Sequence, residues 1–473
     1  MRPALHLTAA FMIGLLAAGA LHAAEPLKAG VATADITPPA GMRMSGYFNE
    51  RLSTGLHDPL LAKAIVLVQG SEKAAVVVCD LIGVPDSISR QARELAENKT
   101  GIPADHIVVA CTHSHTGPLY FGSLRKHLHD QAVARLGDDP AEKFDFPAHL
   151  IEGVADAVAK AAENARPVKL TAGKGEELRI SFNRRFHMKD GTVRFNPGIR
   201  NPDIVRVAGP IDPEVGLIFF HDAGAKDSSS PFASLTVFAM HLDTVSGTLY
   251  SADYPFHLES MLRERFGREF TSVFGTGTCG DINHIDVKAE SRLTGQPESR
   301  RLGTLLGESV LKAVDQLRPQ EKPLLAVRRG LVDVPLQEYP PDRVKQAAAD
   351  MAKIGTRELG FLEQVEANKI TDLQVSYSGK TLPIEVQAIR VSDQTAIVAL
   401  PGEVFVELGL AIKQASPFAN TLVIELCNDC PAYIPTKKAF AEGSYETVNS
   451  RMQSGGGEAM VELATKLLEE LKP

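Results

Sequence analysis

The sequence predicts an α/β fold, a mixed sheet in one catalytic domain with its chemistry at the carboxyl ends of strands. Three observations lead there. Short, continuous apolar runs bounded by turns recur along the chain, as suits strands buried on both faces. Amphipathic stretches with helical spacing lie between them, and strands alternating with helices mark a mixed α/β architecture. Several of the runs end in side chains that bind metals or carry protons, and open α/β sheets bind ligands outside the carboxyl ends of their strands.

In chain order, residues 1–24 read as a secretory signal peptide. Arg2 is followed by an uncharged apolar stretch from Leu7 to Leu21 and by small residues at Ala23 and Ala24. A secreted or periplasmic mature chain from 25 to 473 follows, with no transmembrane segment expected in it, because the C-terminal "MVELATKLLEELKP" is amphipathic. The strand candidates are "AKAIVLV", "AAVVVCD", "HIVVAC", "EVGLIFF", "ASLTVFAM", "SVFG", "TAIVALP" and "TLVIEL". The helix candidates are "DSISRQARELAENKTG", capped by Asp86 or Ser87, then "FPAHLIEGVADAVAKAAENA", "PFHLESMLRERFG" and "SRRLGTLLGESVLKAVDQL". Residues 171–198 carry many basic side chains and a hairpin turn at Asp190-Gly191, and read as a loop-rich excursion. "HDAGAKDSSSPFAS" reads as a surface loop between two strands. "EYPPDRV" leads into a charged helical pair, so 338–370 is expected to form a small subdomain or lid.

Composition narrows the function classes. Apolar residues make up 44% of the chain, enough for a sizeable core, and the formal net charge of −8 argues against a nucleic-acid partner. Loss of residues 1–24, whose one charged residue is Arg2, makes the chain more acidic still. The five cysteines are too few and too irregular for a disulfide scaffold, although Cys427 and Cys430, as C-x-x-C, suit a local disulfide or a plain structural role. The lack of tryptophan and an aromatic content of 6% weigh against a carbohydrate-binding module built on stacking platforms.

The chemistry gathers at strand ends: Asp80, His113 and His115, His241 and Asp243, Asp281, and Glu403. In "CTHSHTGP" the two histidines are one residue apart, so on an extended segment they point the same way. That arrangement suits two ligands, one ligand beside a proton carrier, or a hydrogen-bonded turn before Gly117-Pro118. A second strand ending in His241 and Asp243 favours metal, and imidazole with carboxylate favours zinc. Asn183, Arg184 and Arg185 could steady a polarised oxygen or form a solvated face, and Asp253 could simply cap a helix. "GTCGDINH" lacks a P-loop lysine, no Gly-x-Ser-x-Gly elbow is present, and His57, His187, His257 and His284 have no assigned role. Asn98-Lys99-Thr100 is a glycosylation sequon.

Together, "AGVATADITPPAGMRMSGY", "GLHDPLLAKAIVL", "THSHTGP", "FNRR", "MHLDTVSGTLYSADYP", "GTCGDIN", "LPGEVF" and "AYIPTKKAFAEGSYE" resemble the neutral/alkaline non-lysosomal ceramidases, zinc amidases that cleave ceramide. The resemblance runs from about 30 to 450 and implies the family's catalytic domain. It places the zinc ligands on His113, His241, Glu403 and Tyr433. It makes His115, Arg184 and Tyr445 contacts to the scissile carbonyl or the substrate, with water activated by Zn2+ as the attacking group. Asp243 or His115 would protonate the leaving nitrogen. Two departures follow. Asn283 stands where the family carries a catalytic serine, and an amide cannot act as a hydroxyl nucleophile; it is expected to hydrogen-bond substrate or water. The chain also ends soon after Tyr445, so the family's C-terminal β-sandwich domain is expected to be absent. The reading is an exported zinc amidohydrolase acting on a small-molecule or lipid substrate, with ceramide or another N-acyl lipid first. An ester or carbohydrate-derived substrate on the same scaffold is the alternative, and a catalytically dead binding protein the third.

Overall fold

A computed structural model describes residues 25–224, 230–377 and 379–472. Residues 1–24, expected to be a signal peptide, lie outside the described residues, as do 225–229 within the predicted surface loop.

The first sheet contains β1 (Lys28–Asp35), β2 (Leu61–Gln69), β3 (Glu72–Cys79), β4 (Ile107–Cys111), β5 (Arg166–Glu176), β6 (Glu214–Asp222), β7 (Pro231–Phe238) and β8 (Thr271–Thr276). Their order is β8-β7-β6-β5-β1-β2-β3-β4. The terminal pairs, β3 with β4 and β7 with β8, are parallel; the pairs between them are antiparallel. The sheet curls until its two edges meet. Thr276 Oγ1 at the end of β8 donates to the Thr112 carbonyl just past β4 at 2.8 Å, and Lys63 on β2 reaches the Ser272 carbonyl near the start of β8 at 3.4 Å. This curl brings His113 and His241 together, although each follows a strand near the opposite edge.

A second sheet, β9 (Pro323–Pro335), β10 (Thr381–Ser392), β11 (Thr395–Ala399) and β12 (Asn420–Ile424), packs on the first in that order, with β11 and β12 parallel. Period-two alternation explains why the runs read as continuously apolar. On β3 and β4, Val76, Val78, Val108 and Ala110 face the second sheet, where they meet Ile397, Leu422 and Ile424. Val77, Val109 and Cys111 point the other way, into α1 (Asp86–Thr100) and α2 (Phe146–Glu163). At the other end of the sheet, Leu217 and Phe219 of β6 pack under α3 (Tyr254–Phe266) and α4 (Gln296–Val314). Ala396, Val398 and Val423 turn outward onto a helical layer. The layers run helix, sheet, sheet, helix.

Several expectations change. Residues 171–176 are not loop but part of β5, in the middle of the sheet; exposed Lys174 and Glu176 flank Gly175 there, and Ala172 is the one buried residue of the six, which hid the strand. The hairpin at Asp190-Gly191 stands, with Arg185–Met188 paired to Val193–Phe195. Neither Asp86 nor Ser87 caps α1: Pro85 precedes the helix without a side-chain cap, and the Asp86 N–H donates to Asp429 at 2.9 Å. All five cysteines are free, Cys427 and Cys430 included. The charged pair past 338 forms α5 (Pro341–Met351) and α6 (Phe361–Val375), joined by Arg343 and Glu366 at 2.6 Å.

Candidate active site

His113 follows β4 with φ of 71°, a left-handed conformation that a histidine rarely adopts. Ala432, just before Tyr433, and Ser444, just before Tyr445, also have positive φ, at 63° and 83°. Such backbone costs of order 1–3 kcal/mol per residue and gathers where function demands a particular side-chain direction. Gly402, before Glu403, has φ of 69°, and a Cβ there would lie 2.6 Å from the Ala432 carbonyl. That close approach sets Glu403 opposite Tyr433 in a short parallel pair, Glu403–Val404 with Tyr433–Ile434.

The strand ends converge on one buried point. His113 Nε2 lies 3.1 Å from His241 Nε2, and Glu403 Oε2 lies 3.3 and 3.5 Å from the two nitrogens. Each ring is held by its far side: His113 Nδ1 faces the Ile82 carbonyl at 2.7 Å and His241 Nδ1 the Cys279 carbonyl at 3.1 Å. Carbonyls only accept, so each Nδ1 carries a proton, which in the neutral ring turns the Nε2 lone pair toward Glu403 Oε2, an oxygen without a hydrogen-bond donor. Burial pushes the His241 pKa down, reinforced by Arg184, which keeps that ring neutral. Three acceptors aimed at one point fit a divalent cation. Their spacing of 3.1–3.5 Å is close to that of tetrahedral zinc, whose ligands at about 2.0–2.2 Å stand about 3.3–3.6 Å apart. The Tyr433 phenol is pushed well above its ordinary pKa, first by burial and then by the Glu403 charge.

His115 joins this cluster. Nitrogens of His113, His115 and His241 all lie within 4.8 Å of one another. Both His115 nitrogens are buried without a hydrogen-bond partner, and burial drives its pKa well down, so it is neutral. A second grouping, His129, Asp139 and Glu142, is already answered by guanidinium groups: Arg43 reaches Asp139 at 2.6 Å, and Arg43 and Arg125 both meet Glu142.

Arg184 and Arg185 form no solvated face; both are buried. Arg184 Nη2 donates to Tyr433 Oη at 3.1 Å and to the Gly280 carbonyl at 2.7 Å, and Nη1 lies 3.4 Å from His241 Nε2. Glu446 takes Arg184 Nε on one oxygen and Arg185 Nη1 on the other, each at 2.9 Å. The Tyr445 ring lies 5.3 Å from that of Tyr433, and burial pushes its pKa up to about 12. Asp243 accepts from His284 Nδ1 at 3.1 Å, while His284 Nε2 faces the Leu293 carbonyl at 3.3 Å. Both His284 nitrogens face acceptors, and although burial works against its charge, Asp243 raises its pKa above the ordinary value.

Asn283 is fully buried, with Nδ2 donating to Asn196 at 3.1 Å and Oδ1 accepting the Ile285 N–H at 3.0 Å. Its amide is thus engaged on both sides, by the Asn196 side chain and by nearby backbone. Asp253 caps α3 and takes the N–H groups of Thr244 and Val245. Asp281 takes the Val406 N–H and the Asn183 amide, and Asp80 takes the Leu61 N–H. Sequence reasoning missed Glu446 and the aromatic wall. A groove of about 300 Å³ lined by Tyr47, Phe48, Phe361 and Tyr445 opens beside the cluster, Tyr47 standing edge-on to His115 with centroids 5.9 Å apart. Phe361, from α6, stacks on Phe195 with centroids 5.7 Å apart. Adjacency to Tyr445 was the available signal for Glu446; nothing local announces Phe361.

Comparison with known proteins gives a consistent result. Residues 27–253 match the family described as neutral/alkaline non-lysosomal ceramidase, N-terminal. The chain is 26% identical over 302 residues to neutral ceramidase of Oryza sativa subsp. japonica, covering 62% of this chain and 35% of that protein. It is 25% identical over 282 residues to neutral ceramidase of Pseudomonas aeruginosa, covering 56% of this chain and 38% of that one. The matched stretches therefore span little over a third of these relatives. The crystal structure of neutral ceramidase from Pseudomonas aeruginosa superposes with a TM-score of 0.71 at 18% identity, over 95% of this chain and 75% of that one. The fold is the neutral ceramidase fold.

Proposed function

We propose, from the match of residues 27–253 to the neutral/alkaline non-lysosomal ceramidases, that this chain is an exported zinc-dependent hydrolase of amide bonds, with ceramide or another N-acyl lipid as substrate. The observation that carries the reading is the convergence of His113 Nε2, His241 Nε2 and Glu403 Oε2 within 3.1–3.5 Å. His113, His241, Glu403 and Tyr433 would hold the ion. Zinc supplies Lewis acidity, polarising a carbonyl and lowering the pKa of water toward ~7.

The remaining work falls to the chain. Arg184, fixed by Glu446, keeps positive charge beside the Tyr433 oxygen, where negative charge gathers. His115, neutral and without a partner inside the protein, has an N–H for the carbonyl oxygen and a lone pair for a proton. A donor of that kind contributes about 3 kcal/mol to the barrier when it meets the developing oxyanion. Asp243, with its carboxylate steadied by His284, or His115 returns a proton to the leaving nitrogen. The aromatic groove takes an apolar arm of the substrate, and α5 with α6 acts as its lid. Residues 1–24 support export, and among the described residues no helix is long and apolar enough to cross a membrane.

Elemental analysis and a hydrolysis assay on N-acyl sphingoid bases test the proposal together. One zinc per chain is expected, and His113→Ala and His241→Ala should lose both metal and turnover. Full activity in the metal-free protein would overturn it. Asn283, buried and engaged on both sides, supports a second reading in which the bond cleaved is an ester or belongs to a carbohydrate-derived substrate. A parallel screen on such substrates separates the two readings.

A further inference from the structure

Glu425 stands one residue past β12, wholly buried, and no lysine or arginine pairs with it among the described residues. Its Oε2 accepts the Val404 N–H at 2.7 Å and the Cys279 N–H at 3.1 Å, while Oε1 accepts the Cys279 thiol at 3.1 Å. Both backbone groups lie next to the cation site. Val404 follows Glu403, and the Cys279 carbonyl holds His241 Nδ1 at 3.1 Å. The two segments are further locked by Gly280, whose N–H donates to the Val404 carbonyl at 2.9 Å and whose missing side chain admits the Glu403 carbonyl, 2.5 Å from where a Cβ would sit. One carboxyl group thus joins the backbone bearing Glu403 to the backbone that aims His241. Burying an acid without a cation is costly, whereas a leucine of similar size would orphan two buried N–H groups at about 1–3 kcal/mol each.

We propose that Glu425 is a positioning residue for the metal site, fixing the spacing between His241 and Glu403 from beneath without touching the ion. This rests on the zinc reading above. It goes beyond that reading by assigning part of the metal affinity to a residue outside the ligand set. Orienting groups behind metal ligands are commonly worth 10–100-fold in affinity.

The full-length protein tests it through zinc affinity, measured by competition with a chromophoric chelator, and through the visible spectrum of the cobalt-substituted form. Glu425→Ala should bind zinc 10–100-fold more weakly and shift the cobalt bands. Glu425→Gln, which keeps an oxygen for both N–H groups, should stay within about threefold of the parent, because the site asks for an acceptor and not a charge. If the alanine variant does not fold, Glu425→Asp decides: it keeps the acid but withdraws it by one methylene, and should weaken zinc about tenfold. A folded alanine or aspartate variant with parental affinity and parental cobalt spectrum overturns the proposal. A parent chain that binds neither zinc nor cobalt overturns the zinc reading instead, so the two failures are told apart.

Discussion

Arg184 and Arg185 are consecutive, both buried, and both satisfied by Glu446, a residue 262 positions away from the first of them. Removing one partner of a buried, hydrogen-bonded charge cluster leaves an uncompensated charge and costs about 3–5 kcal/mol. Glu446→Ala should therefore lower unfolding free energy by about that amount in chemical denaturation. It should also cut turnover, because Arg184 Nε loses its anchor and Nη2 no longer meets Tyr433 Oη squarely. A loss below 1 kcal/mol would show that water had replaced the carboxylate. The same trio marks a limit of sequence reading. Two adjacent arginines at the start of a hairpin that also carries Lys189 and Arg194 look like a solvated face until the distant glutamate is placed. The resemblance named Arg184 for the carbonyl, but no local pattern announced that Arg185 was its buried companion. His113 and His241 were legible because each ends an apolar run, where side chains emerge at the rim of a sheet.

At the scale of elements, runs such as "AAVVVCD" and "HIVVAC" were legible because neighbouring layers cover both faces of β3 and β4, so every position is apolar. β5 was missed for the opposite reason: in "TAGKGE" Lys174 and Glu176 stand among small residues, and glycine weakens the strand signal. The helical pair was expected from its charge, but not what it contributes. Phe361, at the start of α6, is 46% exposed and stacks on Phe195 beside Tyr445. An aromatic ring left half in water at the mouth of a site does little for the fold. Phe361→Ala should shift unfolding free energy by about 0.5 kcal/mol or less, as surface changes do. Losing its face should raise KM for an N-acyl substrate about tenfold, the equivalent of about 1.4 kcal/mol of apolar contact, with kcat within about twofold. Steady-state kinetics on substrates with and without an apolar tail measure this, and an equal effect on both would remove the groove from substrate binding.

For the whole molecule, the four proposed ligands come from two different sheets. His113 and His241 leave the first at β4 and β7, and Glu403 and Tyr433 leave the second past β11 and β12. The sequence showed the ends of the strands but not the curl that joins opposite edges of the first sheet, nor the stacking that sets the second sheet beside that junction. Both are long-range packing results that no local pattern encodes. An ion held by all four side chains would tie the two sheets together at one rim, where the Ala110–Cys427 bridge already holds them. A ligand that binds only the native state adds RT ln(1 + [L]/Kd), about 2.7 kcal/mol at one hundred times Kd. Stripping the metal with a strong chelator should therefore lower Tm by several degrees. Restoring zinc should recover it in the parent but not in His113→Ala, whose Tm should no longer respond to zinc at any concentration short of nonspecific binding. If parent and variant answer zinc alike in calorimetry, the ion sits elsewhere, and the two sheets meet at this rim for packing alone.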